Sequence, residues 1–523
     1  MSAPAGRIIY AVLGLIIIAI ILSGISIYYA SVAASAVSEV AKEIRTLRSE
    51  VAGLPTKVAE AVKGVVPPPA KPPAPPAPPK PKVTLTIEYG EPWKMWVDMA
   101  ISKFKEKYPE VEIKPMMIPY GVEFSTKITL DLKAGTAGDI VIYDSFMTAE
   151  YATAGLLLDL TDFVKTWPDW DKFPEPMKKI VSFGGKIYGV MIDTDVRMIW
   201  YRKDIFKLAG LPEEWQPKTW DDIIKAALKL KEAEDKIMKA LGIREFYPIY
   251  IPAGTIWAEA TTMQGFYMLL LGADAPPYNR LYDYKTGKWI AASPAIYYAF
   301  KFYYDIYVKH KVAPVEYNFA RDVWGTHRKA FAKGNIAMEL GGSWEWGEGW
   351  GPKGVEPIPD REKKVGFAKM PGRTGGAAGE PKWVTISGGW AVGINAKIAK
   401  EKVKYAWEFI KILCSKEVLA KCCATYGKVC PRIDAVEVPE YAKDPYLVKV
   451  LEYVKFTDYR DALPGYSKVS FFIQKVTEEI ITKSITPEKA VERFYKLMVD
   501  EFGKDKVEIV KPEELAKLGV KLE

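Results

Sequence analysis

Histidine is nearly missing from this chain: His310 and His327 are the only two in 523 residues. Imidazole acid–base chemistry and histidine-rich metal centres therefore have little to be built from. Cysteine is almost as scarce. The four are Cys414, Cys422, Cys423 and Cys430, and their late position excludes a lipid-modified cysteine near the N-terminus. Adjacent Cys422 and Cys423, with both histidines far away in sequence, argue against zinc. Clustered cysteines in an oxidising space predict one or two disulfides, with three full pairings open. Asn and Gln are sparse while Lys and Glu abound, a bias resembling that of hyperthermophile proteins. H-E-x-x-H, G-x-S-x-G and G-x-x-x-x-G-K-[ST] are all lacking, and no cofactor is implied. An excess of positive charge on the body is lacking too. The formal charge is +8, but nine Lys/Arg against four Asp/Glu precede Val83, leaving +3 for the rest. That excludes the electrostatic footprint of a DNA- or RNA-binding protein.

What is present begins with a greasy run. Residues 8–29 carry no charge and are long enough to cross a bilayer as one helix, which takes about 20 residues. Arg7 precedes the run and Glu39 is the first charge after it, so the positive-inside rule puts the body outside the cell. An Ala34-Ser35-Ala36 site keeps a cleaved signal peptide open as the alternative; the length of the run favours a retained anchor, residues 1–33. In residues 34–66, Val37, Val40, Ile44, Leu47, Val51, Leu54, Val58, Ala61 and Val65 recur at steps of three and four, the seam of a coiled coil. Gly53 and Pro55 interrupt it. Either the stalk self-associates into a homo-oligomer or it is a single amphipathic spacer. Residues 67–82 are mostly proline, a stiff polyproline II arm.

The body, 83–523, is too long for one hydrophobic core, so two lobes are expected. Strand patterns at 83–87, 111–113 and 139–143 alternate with helical stripes at 93–108 and 125–134. This predicts an α/β body with parallel strands, whose ligands gather beyond the strands' carboxyl ends. Asp144 and Ser145 stand at such an end, and so does the loop of Glu88 to Trp93. Thr219 with Asp222 predicts a capped helix from Trp220. Trp344 follows Gly341-Gly342-Ser343, and Trp390 follows Gly388-Gly389. Tryptophans on glycine-supported loops suit ligand contact better than packing.

Read together, Thr136-Ala137-Gly138-Asp139-Ile140-Val141-Ile142-Tyr143-Asp144-Ser145, Tyr188-Gly189-Val190, Tyr201-Arg202-Lys203-Asp204-Ile205-Phe206, Phe331-Ala332-Lys333-Gly334-Asn335-Ile336-Ala337-Met338, Gly388-Gly389-Trp390-Ala391-Val392-Gly393-Ile394 and Pro464-Gly465-Tyr466 stand in a specific order. In this order the chain resembles family-1 extracellular solute-binding proteins of ABC importers, the maltose- and trehalose-binding type. The resemblance implies a two-lobed periplasmic-binding-protein-like clamp of type II, with lobe 1 over about 83–192 and 386–425 and lobe 2 over about 193–385 and 426–523. It implies a sugar or oligosaccharide held in the cleft and handed to ABC permease subunits. Trp344, Trp390 and Trp257 match the family's stacking positions, Asp144 and Asp195 its hydroxyl-accepting ones, and Trp93 a further ligand-side one. Asp193 is a near neighbour that a two-residue shift would substitute for Asp195. Tyr459 and Arg460 stand close to the cleft in this alignment. Trp346 and Trp350 are additions that enlarge or occlude it. The rival reading is a membrane-tethered glycosidase using Asp193, Asp195 or Glu345 as paired carboxylates; a peptide or other solute as ligand is a further alternative.

Overall fold

The computed structural model describes residues 83–120 and 124–522. The apolar run, the heptad seam with its oligomer, and the proline arm all lie outside the described residues. Among those described, no helix is long and apolar enough to cross a membrane.

The chain opens with β1 (Val83–Gly90), α1 (Lys94–Lys107), β2 (Val111–Ile118), α2 (Phe124–Ala134) and β3 (Ile140–Asp144). After several short helices come β4 (Val190–Met191), β5 (Arg197–Arg202), α3 (Trp220–Glu232) and β6 (Tyr247–Tyr250). Then follow β7 (Ile336–Gly342), β8 (Val365–Ala368), β9 (Trp390–Ile394), α4 (Lys400–Leu413), α5 (Lys416–Tyr426) and α6 (Tyr466–Lys483). Two principal sheets result. The first runs β2-β1-β3-β9-β4 and the second β8-β5-β7-β6. A smaller three-stranded sheet joins 282–283, 288–292 and 507–509.

The expectation of parallel strands holds for β1 with β2 and β3. It fails for β9, which runs antiparallel to both β3 and β4, and for β5, antiparallel to β7 and β8. The reason is connectivity: β9 enters the first sheet after a long excursion through the second, not through a right-handed β–helix–β crossover. β2 extends to Ile118 rather than ending at Ile113; Pro115 within it is tolerated because β2 is an edge strand and needs no second ladder. α3 starts where expected. Thr219 Oγ1 accepts from the Asp222 backbone N–H and Asp222 accepts in return from that of Thr219, a capping box.

β5 shows how the two halves share a core. All six residues are buried, and successive side chains point to opposite faces. Met198 and Trp200 join the core around the first sheet, whereas Ile199 and Tyr201 join the second core with α3 and α6. Trp346 and Trp350 belong to the first of these cores. Trp350 is fully buried against Phe331 at 4.2 Å between ring centres, and Trp346 stacks on Tyr446 at 4.8 Å. They neither enlarge nor block a cleft.

The disulfide expectation is overturned: all four cysteines are free and fully buried. Cys422 Sγ lies 3.6 Å from Met99 Sδ, and Cys423 Sγ lies 3.8 Å from the Val429 carbonyl. They serve as small core hydrophobes of α5 and its neighbours, and burial pushes the Cys422 thiol up to about 12. Iodoacetamide at pH 8 should label none of the four in the folded protein and all four in guanidinium without reductant. Mass spectrometry reads the difference, and a native disulfide would show as two missing labels.

Candidate functional site

Two short crossings join the sheets, 192–196 between β4 and β5, and 385–389 ahead of β9. They are laced together. Thr194 Oγ1 donates to the Gly388 carbonyl at 3.0 Å, Arg197 N to Thr385 Oγ1 at 2.9 Å, and Gly388 N to Asp195 Oδ1 at 2.8 Å. Beside this lacing opens a cavity of about 510 Å³, within the usual size range of small-molecule sites.

Trp390 begins β9 and forms one wall of it. Its backbone N–H donates to Asp193 Oδ1 at 2.9 Å, and Trp93 supports its ring from behind with centres 4.2 Å apart. The turn before it requires glycine: Gly389 has φ +111°, and a Cβ there would meet the Asp193 carbonyl oxygen at 2.5 Å. Trp344 forms another wall, in the turn after β7. Its indole N–H donates to Glu345 Oε1 at 2.8 Å. A Cβ on Gly342 would stand 2.1 Å from the Trp344 ring, so only glycine lets the indole fold back. Glu345 is buried and gripped by Arg328 Nε and Nη2 at 2.8 and 3.1 Å. Both indoles remain half-buried, open to the same space.

Charged groups fill the gaps between them. Asp144 caps β3, and burial lifts its carboxyl to about 6 against the pull of Arg460, whose guanidinium lies 3.4 Å away. Arg460 also donates to Glu259 Oε1 at 2.8 Å. Arg197 sits 5.1 Å from the centre of the Trp344 ring and pairs with Asp195. Lys428 pairs with Asp193 at 3.0 Å. Among the described residues, no cluster of three or more His, Cys, Asp or Glu could hold a metal. Five carboxylates and four cations line one cavity, so its charge is nearly balanced.

The profile of the bacterial extracellular solute-binding protein family matches residues 86–420. The chain belongs to that family. An uncharacterized ABC transporter extracellular-binding protein of Pyrococcus horikoshii is 28% identical over 278 residues, 50% of this chain and 57% of that protein. An arabinooligosaccharide-binding protein of Bacillus subtilis is 29% identical over 153 residues, 28% of this chain and 34% of that one. The chain thus spans less than two thirds of the length of either curated relative. An ABC transporter solute-binding protein from Thermotoga lettingae, solved with α-D-tagatose, superposes with a TM-score of 0.63 at 25% identity, covering 79% of this chain and 99% of that one. The fold is accordingly the two-lobed clamp of type II.

In this solute-binding protein Asp144, Asp195, Trp344 and Trp390 line one cavity, as does Asp193. Arg460 reaches it too, whereas Trp93, Trp257, Ser145 and Tyr459 do not. Trp93 is 1% exposed and donates its indole N–H to Asp193 at 3.1 Å, so it backs Trp390. Trp257 is 3% exposed, donates to Tyr250 Oη at 2.7 Å, and lines a small void behind Trp344. Ser145 turns into a neighbouring cavity, which Tyr459 also lines, while Arg460 faces both. Sequence reasoning missed Glu259, Arg197, Arg328, Gln264 and Trp324. None carried a local signal: Arg197 reads as strand interior, and Glu259 sits at the start of a helical stretch that runs on into Thr261–Phe266.

Behind Trp344, His327 is buried between Glu339, 3.2 Å from its Nδ1, and the Arg328–Glu345 pair. Burial lowers its pKa to about 4, outweighing Glu345, while Arg328 lowers it further. Between the unfolded value of about 6.5 and the folded one, the unfolded chain binds a proton that the folded chain does not. Stability therefore falls as pH drops through that window. His327 should account for a loss of about 2 kcal/mol between pH 7 and 5. The difference between urea melts of the wild type and His327→Gln at the two pH values measures it.

Proposed function

We propose that this protein captures a sugar or short oligosaccharide between its lobes and delivers it, chemically unchanged, to the permease of an ABC importer. The observation that carries this reading is the pairing of two half-buried indoles, Trp344 from the lobe of β7 and Trp390 from the lobe of β9, on a single cavity. A pyranose ring has an apolar C–H face for an indole and a rim of hydroxyls for carboxylates and guanidinium groups. Asp144, Glu259, Arg197 and Arg460 supply that rim. The ligands of the relatives, arabinooligosaccharide and tagatose, are of the same class.

The carboxylates that a glycosidase would use are engaged elsewhere. Asp193 accepts from Trp93, Trp390 and Lys428, Asp195 from Gly388 and Arg197, and Glu345 from Trp344 and Arg328. Each anchors a wall of the cavity instead of facing a scissile bond, which supports binding without turnover.

We also propose that the uncharged run of residues 8–29 holds the body at the outer face of the cell membrane, with the proline arm giving it reach to the permease. The full chain should partition into the detergent phase on Triton X-114 separation, and a chain starting at Val83 should stay in the aqueous phase. Equal partitioning would reject the anchor. For the cavity, Trp344→Ala should lower sugar affinity by tenfold or more, with the thermal midpoint held within a few degrees. Calorimetry with a maltose and arabinose oligosaccharide series reads this, and unaltered affinity would reject Trp344 as a stacking face.

A further inference from the structure

A second cavity, of about 460 Å³, adjoins the first. Arg460 is the partition, since its side chain lines both. The two spaces differ in charge. Five carboxylates line the first, whereas no carboxylate lines the second among the described residues. Its ionisable side chains are Lys179 and Arg460, set among the aromatic rings of Phe146, Phe183, Tyr282, Tyr284 and Tyr459.

Arg460 is partly satisfied on its far side by Glu259 and Asp144. Lys179 is not: its ammonium lies over the face of Tyr459, 5.8 Å from the ring centre, and it forms no ion pair among the described residues. One buried group also awaits a partner here. Ser145 is 1% exposed, lines this cavity, and its hydroxyl makes no hydrogen bond within the chain. A buried hydroxyl without a partner costs free energy unless a ligand or water meets it. Ser145 and Lys179 come from the lobe of β3, and Tyr284 and Tyr459 from the other. The cavity thus draws its walls from both sides of the crossing segments.

We propose that this second cavity receives an anionic group borne by the sugar, the carboxylate of a uronic residue, while neutral rings occupy the space between Trp344 and Trp390. The assignment rests on the sugar-binding reading above and adds its charge class. The carboxylate meets the Lys179 ammonium and the free edge of Arg460, accepts from the Ser145 hydroxyl, and places its ring on the tyrosine walls. The second cavity suits it better than the first: no carboxylate lines it beside Lys179 and Arg460, whereas the four cations of the first are already paired with five carboxylates.

Calorimetric titration of the full chain with neutral trisaccharides, each paired with the same trisaccharide oxidised to a uronate at one end, tests this. In the best-bound pair the uronate should bind about tenfold tighter, the size of one charge-assisted contact. The ratio should fall to about one in Lys179→Gln and persist in Lys225→Gln, a surface control on α3. Equal affinities within every pair, or a uronate preference that Lys179→Gln leaves intact, would overturn the anionic assignment while sugar binding stands. No binding of any sugar, charged or neutral, would remove both.

Discussion

Asp193 is the contact on which the site depends. It is 2% exposed, and a carboxylate so far from water must be fully met by donors. Three donors meet it from three parts of the chain: the indole of Trp93 after β1, the backbone N–H of Trp390 at the start of β9, and the ammonium of Lys428 after α5. Asp193 also lies on the crossing between the lobes. The charge that must be neutralised thus fixes the aromatic platform and the hinge segment in one unit. Pulling any one donor away would leave a buried charge underpaired, so the three segments are held together at this point. Two residues on, Asp195 repeats the arrangement with Gly388 and Arg197, binding the second crossing to the first.

This explains which parts of the site were legible in the sequence. The sheets were readable because strand alternation and helical stripes are local, as was the cap of α3. Trp344 and Trp390 were readable because glycine precedes each, and the geometry shows why those glycines are obligatory. Trp93 and Trp257 carry the same residue type, yet one supports another tryptophan and the other fills the space behind one. Residue type does not encode which face of an indole meets solvent; packing of distant segments does. Asp195 was expected to read hydroxyls, but one of its oxygens is spent on the hinge. The cysteines were misjudged for a related reason. Spacing and compartment speak to whether sulfurs can pair, whereas burial in α5 and its surroundings comes from contacts far along the chain. Strand direction was misread where β9 returns from the second lobe, since periodicity carries no information about direction.

The charge inventory of the main cavity bears on how it would bind a neutral ligand. Its carboxylates and cations are already paired with one another, so an incoming hydroxyl gains little net charge–dipole energy and mainly replaces water. Affinity must then come from the indole faces, with the ionic rim selecting orientation. Preorganised ion pairs favour this arrangement, because they hold their geometry before ligand arrives and lose little conformational freedom afterwards.

The buried Arg328–Glu345 pair extends that logic behind the wall. An ion pair removed from water contributes little stability by itself, and a well-packed apolar substitute often does as well. Its value here is geometric. Glu345 spends an oxygen on the Trp344 indole N–H, and the bidentate Arg328 guanidinium denies that carboxylate other rotamers. An apolar replacement would leave the indole N–H without its acceptor and free the ring to turn about its side-chain bonds. A stacking platform that turns presents an edge as often as a face, and loses the ordered contact area that a sugar needs. The pair therefore converts an expensive buried charge into a fixed angle for one aromatic ring, on the wall opposite the one that Asp193 fixes.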